Sequence, residues 1–212
     1  MTATNSRQFK IAGLYAITPD LVDTELLCQM VEASILGGAS IVQYRNKVAD
    51  HKLRIKQAIA LLEVCKKHQI PLIINDHVKL CLAIDADGVH IGGDDGDIAA
   101  IKSRIGEDKI LGVSCYGEFA RAEAAEKAGA DYVAFGACFP SSTKPNAPRA
   151  DLDLFTQAKK LNLPSVAIGG ITLENAASVV EAGANAIAVI GELFKQEPDK
   201  IRATAQQFSS IF

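Results

Sequence analysis

Short apolar runs alternate with helix-like segments along the whole chain, and this alternation restricts the fold more than any other feature. Each run is continuously apolar, as expected of a strand that is buried on both faces. Eight such strand–helix units fit within 212 residues, with strands predicted at residues 11–17, 40–45, 71–74, 88–91, 110–114, 132–135, 165–168 and 186–190. Strict alternation predicts a parallel sheet, and eight units are enough to close a (β/α)8 TIM barrel.

An open, doubly wound sheet is the alternative architecture that this alternation allows. Its usual dinucleotide site needs a glycine-rich first turn, but the first predicted strand ends in Thr18, Pro19 and Asp20 without a GxGxxG motif. A weak internal repeat, in which a glycine ends a helix and leads into a strand, recurs at residues 37–42, 128–133 and 182–187. We therefore predict an α/β fold with one barrel domain over residues 1–212.

The composition favours a protein that acts on small molecules. A net charge of −3, with lysine and arginine scattered along the helical segments, argues against the basic face that nucleic-acid binding needs. The first ten residues are polar and no run of about 18 apolar residues occurs, so neither an export signal nor a membrane span is predicted. Five cysteines without a CxxC pair predict reduced core thiols. These features predict a cytoplasmic protein and leave a homo-oligomer open.

Two aspartates follow consecutive predicted strands within residues 71–95. Asp76 comes just after the third strand and Asp95 shortly after the fourth. Parallel strands joined by a helix carry their carboxyl ends on the same side of the sheet, so these carboxylates should face one another. Because they would repel without a cation between them, the sequence predicts a Mg2+ site completed by substrate phosphates. The alternative is that both are solvated loop residues or helix N-caps.

Amide and cationic side chains are predicted at the end of the second strand. Alternation places Gln43 and Arg45 on the same side, facing the mouth of the barrel, and Lys47 follows in the loop. Polar groups inside an apolar strand need partners, so we interpret these residues as ligands of an anionic substrate. A solvated strand end with an Arg–carboxylate pair is the alternative. Asn75 and Ser114 occupy the same rim on the third and fifth strands.

Glycines follow the seventh and eighth strands. Gly169 and Gly170 come before a helix predicted from about residue 172, and Gly191 opens the connection after the last strand. Bare backbone N–H groups beside a helix N-terminus bind phosphate, and barrels often hold a phosphate at this position. The sequence therefore predicts a phosphate site there.

The connection 136–149 is long and rich in Pro, Ser and Lys. Ser141, Ser142, Thr143 and Lys144 within it would add hydroxyls and an ammonium to the same or a second anion. A loop of this length in a compact domain is usually functional or disordered. We predict a lid, with a mobile surface loop as the alternative.

Other chemistries lack their sequence signatures. The four histidines are dispersed, without HExxH or Cys/His zinc spacing, and no GxSxG motif occurs. His90 lies within an apolar strand and is interpreted as a core histidine with satisfied hydrogen bonds. Lys144 lies in a polar loop that lacks the desolvation expected of a Schiff-base lysine.

Six motifs occur in order over nearly the whole chain: GLYAITPD, VQYRNK, LIINDHVKLCLAIDADGVHIGGDD, ILGVSCY, AGADYVAFGACFPSSTK and VAIGGIT. Together they resemble the thiamine-phosphate synthase family, also called thiamine-phosphate pyrophosphorylases. The resemblance implies a transferase that joins 4-amino-2-methyl-5-pyrimidinylmethyl diphosphate to 4-methyl-5-(2-phosphoethyl)thiazole, in its carboxylate form. The products would be thiamine phosphate and pyrophosphate, with Mg2+ as cofactor.

The same resemblance implies three groups of site residues. The pyrimidine diphosphate would be bound by Gln43, Arg45, Lys47, Asn75, Ser114 and Lys144, of which Arg45, Lys47, Ser114 and Lys144 are the implied catalytic residues. Mg2+ would be held by Asp76 and Asp95. The thiazole phosphate would be held by Ser142, Thr143, Gly170, Ile190 and Gly191, and Tyr44 and Ser141 are assigned to substrate binding as well.

Three positions depart from the family pattern. Gly191 stands where the family often has Ser, His77 replaces a common Arg, and Cys115 follows Ser114 where Thr is usual. A hydroxyl contact to the thiazole phosphate is therefore missing at Gly191, where only the backbone N–H can serve. These departures affect the finer contacts and leave the diphosphate site intact.

Two other functions fit the same barrel. A thiazole tautomerase, a relative of the family, would bind a phosphorylated thiazole and would not need to bind a diphosphate. The presence of diphosphate-binding candidates therefore argues against this function; they are Gln43, Arg45, Lys47 and the aspartate pair. A non-catalytic regulator would bind thiazole phosphate without releasing pyrophosphate.

Overall fold

Strands and helices alternate along residues 9–140 and 149–212, the part of the chain that the computed structural model describes. The strands are β1 Gly13–Ile17, β2 Ala39–Tyr44, β3 Leu72–Asn75, β4 Gly88–Ile91, β5 Ile110–Tyr116, β6 Tyr132–Phe135, β7 Ser165–Ile168 and β8 Ala186–Val189. The helices are α1 Thr24–Leu36, α2 His51–His68, α3 Val78–Ile84, α4 Ile98–Ile105, α5 Phe119–Lys127, α6 Asp153–Ala158, α7 Ala176–Ala182, α8 Gly191–Phe194 and α9 Pro198–Ser209. Within these ranges, no helix has both the length and the apolar character needed to cross a bilayer.

The eight strands form one closed parallel barrel in sequence order, in which β8 pairs back to β1. The register places the ends of neighbouring strands side by side, as in the pairs Ile17 with Gln43 and Asn75 with His90. The predicted (β/α)8 barrel is confirmed, and the open sheet is excluded. Loops that follow the strands therefore share one face of the molecule.

Alternating side chains on the strands build two separate cores. Tyr15, Ile41 and Ile73 point into the barrel, where they pack in one apolar cluster with Tyr132. Leu14 and its outward-facing counterparts on the other strands pack against the helices in a second, larger cluster. Burying a large apolar side chain contributes about 1.5–3 kcal/mol. Because side chains fill the barrel, a substrate site is expected at its mouth rather than in its interior.

Aspartates cap three of the helices, and this tests whether the predicted metal residues are helix N-caps. Asp23, Asp50 and Asp97 accept hydrogen bonds from backbone N–H groups in the first turns of α1, α2 and α4. The residues before α3 and α4 are His77 and Asp97. Asp76 and Asp95 are therefore not N-caps, whereas the alternative of solvated loop residues stays open because both are exposed.

The start of α7 differs from the prediction. The helix begins at Ala176 instead of near residue 172, because Asn175 organises a preceding turn. Its side chain accepts a hydrogen bond from the Thr172 N–H at 2.9 Å and donates one to the Gly170 carbonyl at 3.0 Å. β8 also ends one residue earlier than predicted, and the short helix α8 follows it directly.

Candidate active site

A cavity of about 660 Å³ lies at the carboxyl ends of the strands. Eleven residues predicted from the sequence line it: Gln43, Arg45, Lys47, Asn75, Asp76, Asp95, Ser114, Gly169, Gly170, Ile190 and Gly191. These residues come from six different strands or the loops after them. The closed barrel therefore brings together groups that are far apart in the chain.

Contacts from the loop after β1 hold the cationic residues in place. The buried Thr18 hydroxyl donates to the Arg45 carbonyl at 2.8 Å and accepts from the Arg45 N–H at 2.9 Å. A nitrogen of the Arg45 guanidinium lies 3.3 Å from Asp20, whose carboxylate also accepts the Lys47 N–H at 2.7 Å. The Arg–carboxylate pair therefore forms, but the Arg45 side chain is only 14% exposed and lines the cavity. Only one guanidinium nitrogen contacts Asp20, so Arg45 has further N–H donors for an anion in the cavity.

Asp76 and Asp95 line the same cavity. Asp76 has a φ of 61°, a left-handed conformation that short polar residues tolerate best. Its backbone N–H donates to the His90 carbonyl at 2.8 Å, and the Asn75 amide donates to its carboxylate at 2.7 Å. β3 is thereby tied to β4 at the point where the first carboxylate projects. Both aspartates thus line one cavity, and their pairing around a cation stays a prediction.

The loop that carries Asp95 is held from both ends. The Asp95 carboxylate accepts the Gly92 N–H at 2.8 Å. Arg121 lies 2.9 Å from Asp94 and stacks over the Tyr116 ring, with 5.3 Å between the guanidinium carbon and the ring centroid. Burial raises the pKa of the Tyr116 hydroxyl, and the neighbouring Asp94 and Asp95 raise it further. The phenol therefore stays neutral beside the carboxylates.

The donor set of the cavity fits Mg2+. Its charged lining residues are Arg45, Lys47 and Lys195 on the cationic side and Asp76, Asp95 and Glu192 on the anionic side. These charges cancel, so this part of the wall offers no net positive charge to a diphosphate. The described residues contain no group of three or more His, Cys, Asp or Glu side chains placed for a metal. Two carboxylates completed by substrate phosphates and water suit Mg2+, which rarely uses an all-protein cage.

Glycines line the end of the cavity formed by β7 and β8. Gly170 has a φ of 65°, and a Cβ there would lie 2.4 Å from the Pro140 carbonyl oxygen, so only glycine fits without strain. A Cβ at Gly191 would lie 3.3 Å from Cε of Lys195, whose side chain therefore passes over this glycine. The helix N-terminus expected next to Gly170 lies further along, at Ala176. Among the described residues, glycine backbone and the Lys195 ammonium therefore lie at this end of the cavity.

A chain of hydrogen bonds, called here the polar chain, crosses the barrel interior below the cavity. It consists of Gln43, Tyr15, Tyr132, His90 and Ser114 in that order, with donor–acceptor distances of 2.9, 2.8, 2.9 and 2.9 Å. The Tyr132 ring lies over Gly112, where a Cβ would be 2.0 Å from the ring carbon Cζ. Burial raises the pKa of the Tyr15 and Tyr132 hydroxyls, so both stay protonated.

Tyr44 does not reach the cavity with its side chain. It points to the opposite side of β2 from Gln43, and its hydroxyl donates to the Gln57 side chain in α2 at 2.9 Å. The assignment of this side chain to substrate binding is corrected, because alternation along the strand directs it toward the helices. Ser141, Ser142, Thr143 and Lys144 lie outside the described residues, as does most of the predicted lid.

Several residues of the cavity were missed or underestimated by sequence reasoning. His90, Tyr116, Glu192 and Lys195 line it. His90 has the hydrogen-bond partners expected of a core histidine, yet one of them, Ser114, is a predicted catalytic residue. Lys195 lies four residues after Gly191, one helical turn away. This spacing would have predicted from the sequence that Lys195 lies on the same side of the helix as Gly191.

The comparisons with known proteins agree with the geometry of the cavity. A family model described as thiamine monophosphate synthase matches residues 14–193. A thiamine-phosphate synthase of Methylobacillus flagellatus is 58% identical over 202 residues, which cover 95% of this chain and 96% of the relative. One from Nitrosomonas eutropha is 49% identical over 206 residues, covering 97% and 96%. The solved structure of a thiamine phosphate pyrophosphorylase from Pyrococcus furiosus has a TM-score of 0.83 at 30% identity, covering 94% of this chain and 95% of its own. The chain therefore belongs to the thiamine monophosphate synthase family of transferases.

Proposed function

We propose that the protein joins 4-amino-2-methyl-5-pyrimidinylmethyl diphosphate to 4-methyl-5-(2-phosphoethyl)thiazole, in its carboxylate form, with Mg2+ as cofactor. The supporting observation is one cavity with charged residues at one end and glycines with a lysine at the other. Asp76, Asp95, Arg45 and Lys47 lie at the β2–β4 side, whereas glycines and Lys195 lie across the mouth at β7 and β8. A diphosphate end and a phosphate end suit two phosphorylated substrates that must meet.

The proposed reaction is a substitution at the pyrimidinylmethyl carbon. Its C–O bond to the diphosphate breaks, and the electron pair leaves with pyrophosphate. The thiazole nitrogen then supplies the pair for the new C–N bond. The carboxylate leaves as CO2, its bonding electron pair stays with the ring, and the ring takes up one proton, which gives thiamine phosphate. The ring amino group stabilises the cationic carbon and the thiazole nitrogen is already nucleophilic, so no strong general base is required. The protein must stabilise the departing charge, align the two rings and exclude water.

Each wall of the cavity has a role in this reaction. Arg45 and Lys47 would bind the diphosphate oxygens and stabilise the charge that develops on them. Mg2+, held by Asp76 and Asp95, would neutralise part of the diphosphate charge. Asn75 orients Asp76 through its hydrogen bond. The roles of Ser141, Ser142, Thr143 and Lys144 in binding or closing over the substrates stay predictions from the sequence.

Pyrophosphate release tests the proposal and separates it from its rivals. Purified protein is given both substrates with Mg2+, then each substrate alone, then both substrates with a chelator. We expect stoichiometric pyrophosphate and thiamine phosphate only from the complete mixture. Binding of thiazole phosphate without pyrophosphate release would support a regulator, and isomerisation of the thiazole alone would support a tautomerase; either outcome contradicts the proposal.

Replacing Lys195 with alanine is expected to weaken binding of the thiazole phosphate. The ammonium lies over Gly191, 3.6 Å from the position a Cβ would take there. A charge-assisted hydrogen bond to a phosphate is worth about 1.5–3 kcal/mol, so the KM for the thiazole phosphate should rise about tenfold or more. Steady-state kinetics with the other substrate saturating measures this value.

Lys200→Ala is the matched control for this experiment. Lys200 is exposed on α9 and does not line the cavity. Its removal should leave both KM values unchanged, and Lys195→Ala should leave the KM for the pyrimidine diphosphate unchanged. An equal rise in both KM values would instead indicate general damage to the site. No rise in either would remove Lys195 from the phosphate site.

A cytoplasmic location fits this proposal, since both substrates are soluble phosphorylated metabolites. Assembly into a homo-oligomer likewise stays a prediction from the sequence.

A further inference from the structure

The direction of every hydrogen bond in the polar chain follows from its first member. The Gln43 amide nitrogen contacts the Tyr15 hydroxyl, and an amide nitrogen can only donate. Tyr15 accepts this bond, so its own proton goes to Tyr132. Tyr132 then donates to Nδ1 of His90. With the Gln43 amide in this orientation, the bonds direct His90 to the neutral tautomer that carries its proton on Nε2.

The far end of the polar chain is fixed in the same way. Nε2–H of His90 donates to the Ser114 hydroxyl oxygen at 2.9 Å, which leaves the Ser114 proton for a group in the cavity. At the near end, the Gln43 amide uses its nitrogen for Tyr15, which leaves its carbonyl oxygen Oε1 as the acceptor for a group in the cavity. Both residues line the cavity. The site thus presents an acceptor at Gln43 and a donor at Ser114.

We propose that Tyr15 and Tyr132 are positioning residues that set the hydrogen-bond polarity of the substrate site and so select a 4-aminopyrimidine ring. This inference rests on the proposed function. An aminopyrimidine offers an amino donor next to ring-nitrogen acceptors, which complements an acceptor and a donor. A 4-oxopyrimidine, with a carbonyl oxygen and a ring N–H, offers the reverse pattern. Reversing the site would require every bond of the polar chain to change direction together.

The packing around the two tyrosines keeps the polar chain in place. The Tyr15 and Tyr132 rings meet edge to face with centroids 6.0 Å apart, and Tyr132 stacks on His90 at 5.6 Å. Phenylalanine at either position would keep these ring contacts and remove only the hydroxyl. Without the Tyr132 hydroxyl, Nδ1 of His90 has lost the donor that selects its tautomer, and Ser114 is then free to accept or donate. The polarity is lost while the shape of the site remains.

Ring selectivity is the measurement that tests this inference. The probes are the monophosphates of the 4-amino and 4-oxo forms of 2-methyl-5-pyrimidinylmethanol, which have the same phosphate and no diphosphate leaving group. Their inhibition constants are compared as a ratio. We expect wild type to prefer the amino form by at least about tenfold, and Tyr15→Phe and Tyr132→Phe to bring the ratio to within about threefold of one. The KM for the thiazole phosphate should not change.

The control is Ser34→Ala, which removes another buried hydroxyl, bonded to the Val31 carbonyl in α1. It should keep the wild-type ratio. A wild-type ratio in both tyrosine variants, or a wild-type preference for the oxo form, would overturn the inference. Failure of the proposed function is a different result, namely no pyrophosphate release by wild type.

A second readout uses wild-type protein and therefore does not depend on whether the tyrosine variants fold. Long-range 1H–15N spectra of wild-type protein labelled in histidine report the tautomer of each ring, and a His90→Asn sample identifies the His90 signal by its loss. We expect His90 to be neutral with its proton on Nε2. A proton on Nδ1, or on both nitrogens, would overturn the inference.

Discussion

Replacing Asp76 with asparagine is expected to reduce the rate of pyrophosphate release by about 10³-fold, in line with losing a main stabiliser of developing charge. Asparagine has nearly the same shape and tolerates the φ of 61° at this position, so the backbone should not change. Only the negative charge is lost, and with it one of the two carboxylates proposed for Mg2+. The rate is measured at saturating substrates and Mg2+.

A second readout separates loss of the metal site from other damage. Binding of pyrophosphate, followed by calorimetry, should require Mg2+ in wild type and should be weak with or without Mg2+ in Asp76→Asn. Asp108→Asn is the control, because Asp108 is an exposed acid between α4 and β5, at the opposite end of the barrel. Turnover of Asp76→Asn within tenfold of wild type would reject the assignment of Asp76 as a metal ligand.

The local pattern was sufficient to predict the rim of the barrel. Asp76 and Asp95 could be placed together because the carboxyl ends of parallel strands always share one side of a sheet. Gln43 and Arg45 could be placed on one wall because side chains alternate along a strand. The same alternation also directs Tyr44 to the opposite side, so the error at that position came from extending a resemblance to a residue that the strand period excludes.

Contacts across the closed barrel could not be predicted from the sequence. His90 looked like a core residue because its neighbours on β4 are apolar, but its partners Tyr132 and Ser114 come from β6 and β5. These pairs form only after the strands have closed into a barrel, and no local periodicity encodes them. A phosphate was expected before a helix starting near residue 172, but this helix starts at Ala176. The side-chain contact between Asn175 and the Thr172 N–H precedes the helix, and apolar spacing does not report such a contact.

Replacing Arg45 with glutamine is expected to lower kcat/KM for the pyrimidine diphosphate by about 10²–10³-fold. The guanidinium is mostly shielded from water, with 14% of the side chain exposed, so its charge acts strongly on a bound anion. Glutamine keeps a hydrogen-bonding group of similar reach but removes the charge. Arg45→Lys should recover part of the loss, because an ammonium supplies the charge without the planar fork.

The fold should tolerate this change, so the loss can be assigned to the site. Asp20 loses its ion pair but still accepts the Lys47 N–H at 2.7 Å, and a partly exposed pair contributes about 1 kcal/mol or less to the free energy of unfolding. Asp20→Asn keeps that backbone contact while loosening Arg45, and its effect on kcat/KM should be about tenfold or less. Arg104→Gln, an exposed arginine on α4, should change nothing. If kcat/KM of Arg45→Gln stayed within tenfold of wild type, the diphosphate would have to be held by other residues, and the cationic wall of the cavity would need reassignment.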